Sequence, residues 1–183
     1  KNRSRGKVAP VGNYKSDKWD CTTADVQIKL AIQMSKSAIV FGGNYYDLPP
    51  TSCWLVWDKQ NSGDFADCEL AWTNLKKAVR RIYWRWNGMI RKGSDIRQHP
   101  TQKPLGVMEW CINHLPDTAQ TILDPFMGSG TTLVACQKLG RAGTGIELDP
   151  HYFDIACKRV DEATRQPDLF VEPAPKPTQE VLL

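Results

Sequence analysis

A chain of 183 residues with 41% hydrophobic content is long enough for one well-buried domain, and a formal charge of only +4 excludes a uniformly polybasic protein. No apolar run approaches membrane-spanning length, and no stretch reads as a signal peptide. The six cysteines, at 21, 53, 68, 111, 136 and 157, show neither CxxC spacing nor a Cys/His cluster, so reduced thiols in a cytoplasmic protein and no metal site are expected.

The first twenty residues are polar, basic and Gly-containing, and predict a loop or arm. Because the chain opens on Lys1 inside that polar run, a fragment or processed chain is the expectation. Residues 24–34 space their apolar positions as a short amphipathic helix. Ser37–Asn44 reads as a buried strand stopped by Gly42-Gly43, and Cys53–Asp58 as a second. Aromatic and β-branched residues over 66–74 and 78–87 predict two further strands or a hairpin. A polar, basic loop over 88–102 precedes a helix over 104–115. From there the pattern is regular: strand Thr121–Asp124, turn Gly128–Gly130, helix Thr131–Leu139 closed by Gly140, strand Gly143–Leu148, and helix Pro150–Ala163 with proline at its start. This is a βαβα unit of a parallel, doubly wound sheet. The Pro-rich stretch 166–183 has no periodicity and is read as disordered, leaving 21–165 as the domain.

Two features carry chemistry. Asp124 closes a buried strand and is followed by Pro125-Phe126-Met127-Gly128-Ser129-Gly130-Thr131-Thr132, a glycine turn leading into a helix at the carboxyl end of a parallel strand. A second acid, Glu147, closes the next strand 19 positions after Gly128, where a carboxylate can accept hydrogen bonds from ribose hydroxyls. A nicotinamide-binding fold would place this unit first and require several strands after it, but only roughly 35 residues follow Glu147.

The segment Asp124–Thr132, with His99-Pro100-Thr101-Gln102-Lys103-Pro104 upstream of it, resembles the paired cofactor motifs of amino-group DNA methyltransferases. Their order resembles the permuted β class, and Gly42-Gly43-Asn44, Cys53–Lys59 and Ala66–Trp72 are similar to its phage and prophage members. The resemblance implies a Rossmann-like α/β methyltransferase fold, with a mainly parallel sheet and helices on both faces. It also implies S-adenosylmethionine as cofactor, and methyl transfer to a base amine of double-stranded DNA, adenine N6 favoured over cytosine N4. Asp124, Phe126, Gly128, Gly130 and Thr131 would line the cofactor, Glu147 would hold its ribose, and Thr101, Lys103 and Pro104 would approach its methionine end. Lys103 has a physical reason, because the methionyl carboxylate needs a cation; the alternative is a solvated lysine at a helix start.

The family's acid-or-polar, Pro-Pro, aromatic tetrapeptide is absent from the 183 residues. Asp47-Leu48-Pro49-Pro50 is followed by Thr51 and matches in composition only. In the permuted order the tetrapeptide should lie just upstream of Lys1, so the expectation is a catalytic loop that was cut away, is encoded outside this chain or was lost, and a chain that binds cofactor with little or no activity. A cofactor- and DNA-binding pseudo-enzyme, and an RNA or protein methyltransferase, are the alternatives.

Between Lys76 and Arg97 eight basic residues face one acid, Asp95, so 76–98 is the candidate DNA-contact segment. Arg80, Arg81, Arg85, Arg91 and Lys92 would neutralise phosphates, and Trp84 or Trp86 could stack. In a strand Tyr83 and Arg85 share one side and Trp84 and Trp86 the other, so one pair faces the core. A solvated edge hairpin is the competing reading. Asn44, Asp67 and Glu69 are further polar candidates, each matched by a turn or surface-strand reading. Gln166-Pro167-Asp168-Leu169-Phe170 resembles peptides that dock on bacterial sliding clamps; Leu169 and Phe170 packing back on the domain is the alternative. A homodimer is also compatible with the sequence.

Overall fold

The computed structural model describes residues 24–61, 66–86 and 96–165. The expected arm over 1–20, Arg91, Lys92 and the clamp-like peptide from Gln166 to Phe170 lie outside them. In chain order the elements are α1 (Asp25–Met34), β1 (Ile39–Phe41), a 3-10 turn (Gly43–Tyr45), β2 (Trp54–Asp58), β3 (Cys68–Thr73) and β4 (Arg80–Tyr83), followed by α2 (Leu105–Ile112), β5 (Thr121–Asp124), α3 (Thr131–Lys138), β6 (Ala142–Gly145) and α4 (Pro150–Arg165).

The strands form two sheets rather than one. The first has the order β1-β3-β2-β4 and the second pairs β5 with β6. In the first sheet β3 runs antiparallel to both β1 and β2, while β4 joins β2 in parallel, with Leu55 opposite Arg80 and Asp58 opposite Tyr83. The fold is therefore α/β with a mixed first sheet and a parallel second one, and the expected predominance of parallel pairs holds only for the β5–β6 pair and β2–β4. Of the two readings for 66–74 and 78–87, separate strands hold and a hairpin does not: β3 and β4 do not pair with each other but flank β2 on opposite sides. Residues 74–79 carry the chain from one side to the other, a long-range choice that local propensity does not encode.

Period-2 alternation makes β2 a half-buried strand. Leu55 and Trp57 point inward, 1% and 2% exposed, and join Cys53, Ala71, Trp86, Val107 and Cys111 in the larger core. The Trp57 indole donates to the carbonyl of Trp84 at 2.7 Å, so the buried N–H is satisfied across the sheet. Helix α2 serves two cores. Val107 and Cys111 pack under the first sheet, while Ile112 closes a smaller cluster with Ala135 and Cys136 of α3.

The second unit is the strand–helix–strand–helix repeat expected from the sequence. Its ladder pairs Thr121 with Ala142 through to Asp124 with Gly145, and the first bond beyond the strand ends is Ile146 N–H to the carbonyl of Asp124 at 2.9 Å. Asp149 accepts from the backbone N–H of His151 at 2.8 Å, which caps α4, and Pro150 occupies the first helical position. Among the described residues no helix is long and apolar enough to cross a membrane, and no group of three His, Cys, Asp or Glu side chains could hold a metal ion.

Candidate functional site

The turn after β5 is built by two carboxylates. Asp124 accepts from the N–H of Phe126 at 3.0 Å through one oxygen and from the Thr132 hydroxyl through the other. Glu147 lies two residues past the end of β6. It accepts from the N–H of Gly128 at 2.9 Å and from that of Asp149 at 2.9 Å, tying the turn to the head of α4. Between them Gly128 (φ +51°) and Gly130 (φ +76°) are left-handed. Gly130 is needed twice over, since a Cβ there would stand 2.8 Å from Cβ of Ala156.

The loop that precedes α2 packs on this turn. His99 is 7% exposed; its ring stands edge-on to Tyr152 with centroids 4.1 Å apart. It also lies 3.5 Å from where a Cβ on Gly128 would be. The backbone N–H of Thr101 donates to its Nδ1 at 3.2 Å, and the Thr101 hydroxyl lies 3.1 Å from the same atom. Nδ1 is thus the acceptor, which leaves the proton of the neutral ring on Nε2. Burial pulls the pKa of His99 below its ordinary value; the nearby Glu147 opposes this, and Lys103 and Arg97 reinforce it. Gln102 is also buried: its carbonyl accepts from the Ser129 hydroxyl at 3.0 Å and from Gln98 N–H at 2.8 Å, while its amide donates to Ile96 at 3.1 Å. The two motifs singled out in the sequence thus meet in space.

Lys103 is held rather than solvated. Its ammonium lies 3.6 Å from Glu69, donates to the carbonyl of Thr101 at 3.3 Å, and sits 5.1 Å from the centre of the Phe41 ring. Lys59 shares the same Glu69 carboxylate at 2.8 Å, so Glu69, on β3, joins the first sheet to this loop.

Of the nine predicted cofactor residues, Asp124, Phe126, Gly128, Glu147, Thr101 and Lys103 remain open to a ligand, Phe126 being 52% exposed. The other three are covered by protein. Pro104 is fully buried at the head of α2, Gly130 is buried against Ala156, and Thr131 is buried where Arg159 donates to its hydroxyl. Their side of the turn is taken by protein. Sequence reasoning assigned no role to His99, Gln102, Ser129 or Arg159. A polar residue between two glycines was the available signal for Ser129; nothing local marks Arg159, on the far helix.

On the basic segment Arg80, Arg81 and Arg85 are exposed, and Arg81 stacks over Tyr83 at 4.4 Å. Trp84 and Trp86 are the inward pair. The Trp84 ring packs so closely on Gly106 that a Cβ there would fall 2.1 Å from it. Lys77 is also engaged internally, donating to the carbonyl of His114 at 2.7 Å just beyond α2.

Residues 14–158 match the family model described as DNA methylase. The chain belongs to that family. It is 33% identical over 88 residues to the type II methyltransferase M.HpaI of Haemophilus parainfluenzae, covering 48% of this chain and 28% of that protein. It is 42% identical over 79 residues to M2.LlaDCHI of Lactococcus lactis subsp. cremoris, covering 42% and 29% respectively. The chain therefore spans under a third of the length of these relatives. Among solved structures, the M1.HpyAVI–SAM complex is 34% identical, with 58% of this chain and 60% of that one aligned at a TM-score of 0.42.

Proposed function

We propose that this chain carries the cofactor-binding and DNA-facing parts of an S-adenosylmethionine-dependent DNA methyltransferase of the permuted β class, acting on a base amine, with adenine N6 favoured over cytosine N4. The observation that carries the reading is the junction in which His99 and Gln102 pack on Gly128 and Ser129 while Glu147 caps the same turn. The residues fit the cofactor. Each oxygen of Asp124 and Glu147 accepts one backbone or hydroxyl hydrogen, and a carboxylate has about four lone-pair sites, so acceptor capacity remains for ribose hydroxyls and amines. Phe126 offers a half-exposed aromatic face to a purine, and Lys103, beside Thr101, offers a cation to a carboxylate. When bound, S-adenosylmethionine would supply the activated methyl group. The chain's residues orient it and keep its two ends apart.

Arg80 and Arg81 on the edge strand β4 and Arg85 just past its end, with Arg91 and Lys92 outside the described residues, would contact phosphates while the target base leaves the stack. Titration of S-adenosylmethionine into the 183-residue chain tests the reading, with binding expected in wild type and strongly reduced in Glu147→Ala. No binding to folded protein overturns it.

A cofactor- and DNA-binding protein without catalysis is the second reading, favoured by the absence of the Pro-Pro-aromatic tetrapeptide from these 183 residues. Transfer of labelled methyl to unmethylated DNA by this chain alone would eliminate it.

A further inference from the structure

The hydroxyl of Ser129 is a joint between three separate stretches of chain. Ser129 is 2% exposed and sits between two left-handed glycines, so its direction is set by the turn. It donates to the side-chain carbonyl of Gln102 at 3.0 Å and accepts from Nη1 of Arg159 at 2.9 Å. The same Nη1 donates to the carbonyl of Ser129 and to the hydroxyl of Thr131 at 3.1 Å. Arg159 lies one helical turn beyond Ala156 on α4, and residues three apart share a helix face. Helix α4 therefore presses a methyl group against Gly130 and closes a guanidinium over Ser129 and Thr131. On the opposite side Gln102, anchored to Gln98 and Ile96, fixes the loop that carries His99, Thr101 and Lys103.

We propose that Arg159, Ser129 and Gln102 form a positioning relay that holds the glycine turn and the 96–103 loop in the geometry that receives the cofactor before it arrives. The inference rests on the reading that this turn binds S-adenosylmethionine. None of the three needs to touch the ligand. Nη1 of Arg159 and the Ser129 hydroxyl are engaged by protein groups, and the Gln102 amide by the loop and the turn. What they do is remove the alternative positions of Thr101 and Lys103 relative to Glu147, so that ordering is not charged to binding.

One nitrogen makes these three contacts, its two protons shared among three acceptors, so a lysine ammonium, with three protons, can replace them in part. This supplies a conservative rescue. The experiment is calorimetric titration of S-adenosylmethionine into the full chain, with far-ultraviolet dichroism and melting curves on every variant. Ser129→Ala and Arg159→Gln are each expected to weaken binding by about tenfold or more, the scale of a lost charge-assisted hydrogen bond. The double variant is expected to be no weaker than the worse single, because both break one linkage, and Arg159→Lys to recover part of the loss. Gln102→Glu keeps both acceptors but cannot donate to Ile96, and is expected to weaken binding with the fold intact. Variants that bind as wild type overturn the relay alone, as do losses that multiply independently, that lysine does not relieve, or that merely follow lowered melting temperatures. A folded wild type that takes up no S-adenosylmethionine removes the reading beneath it as well.

Discussion

The four-stranded sheet is held by large apolar side chains: Leu55, Trp57 and Trp86 are buried together and α2 closes over them. The β5–β6 pair is covered by smaller side chains, Met127 and Leu133 being the largest against its glycines. Its buried cluster is Ile112, Ala135 and Cys136, β6 is made of Ala142, Gly143, Thr144 and Gly145, and its turn is fixed by carboxylates, hydroxyls and Arg159. The first region resists change in shape because apolar area is buried; the second because donors and acceptors are paired in one arrangement. Hydrophobic burial is non-directional, whereas hydrogen bonds fail when a partner moves by an ångström. A scaffold is therefore placed beside a site whose precision depends on polar geometry.

Substitutions should separate the two. Trp57→Ala should lower unfolding free energy by about 3–5 kcal/mol, the cost of a large core truncation. In urea titration this should appear as a shifted midpoint, with S-adenosylmethionine affinity per folded molecule unchanged. If affinity falls with it, the regions are not separable in this way. Gly130→Ala should cost less stability, about 1–2 kcal/mol for the left-handed backbone plus the contact with Ala156, yet abolish calorimetric binding. Glu147→Gln, which turns one acceptor oxygen into an amide donor and so can satisfy only one of the N–H groups of Gly128 and Asp149, should weaken binding about tenfold and lower the melting temperature slightly.

A smaller effect is expected from pH. The unfolded His99 titrates at its ordinary value, while burial keeps the folded ring neutral to lower pH. Its contribution to stability is complete above the ordinary histidine range and is lost as pH falls through the depressed folded value. Between pH 7.5 and 5, wild type should lose more stability than His99→Gln; equal slopes would sink the assignment. Smallest of all should be the response to thiol reagents. Burial raises Cys111 to about 12 and Cys136 to about 11, so alkylation near pH 8 should mark the exposed Cys68 and Cys157 and spare both.

The contrast also explains what could be read in advance. Strand Thr121–Asp124, the glycine turn and the helix behind it were legible because local composition and backbone demand agree there. The strand through Leu148 was drawn too long: β6 stops at Gly145, and Glu147 and Leu148 belong to the cap of α4 and the solvent. Alternation showed that one pair among Tyr83–Trp86 must be inward but not which; the close approach of α2 at Gly106 decides for the tryptophans. Gly130 and Thr131 are covered by α4, and Pro104 is buried at the head of α2. Such covering comes from elements tens of residues away, so local spacing has no access to it.

Helix α2 has a consequence for how this polypeptide can be rearranged. With Val107 and Cys111 in one apolar cluster and Ile112 in the other, it works as a party wall between two rooms. New termini opened in the solvent-side connections leave the wall standing. A break within Leu105–Ile112 strips a side from each room at once, so splitting the protein there should yield two insoluble halves instead of two smaller working ones.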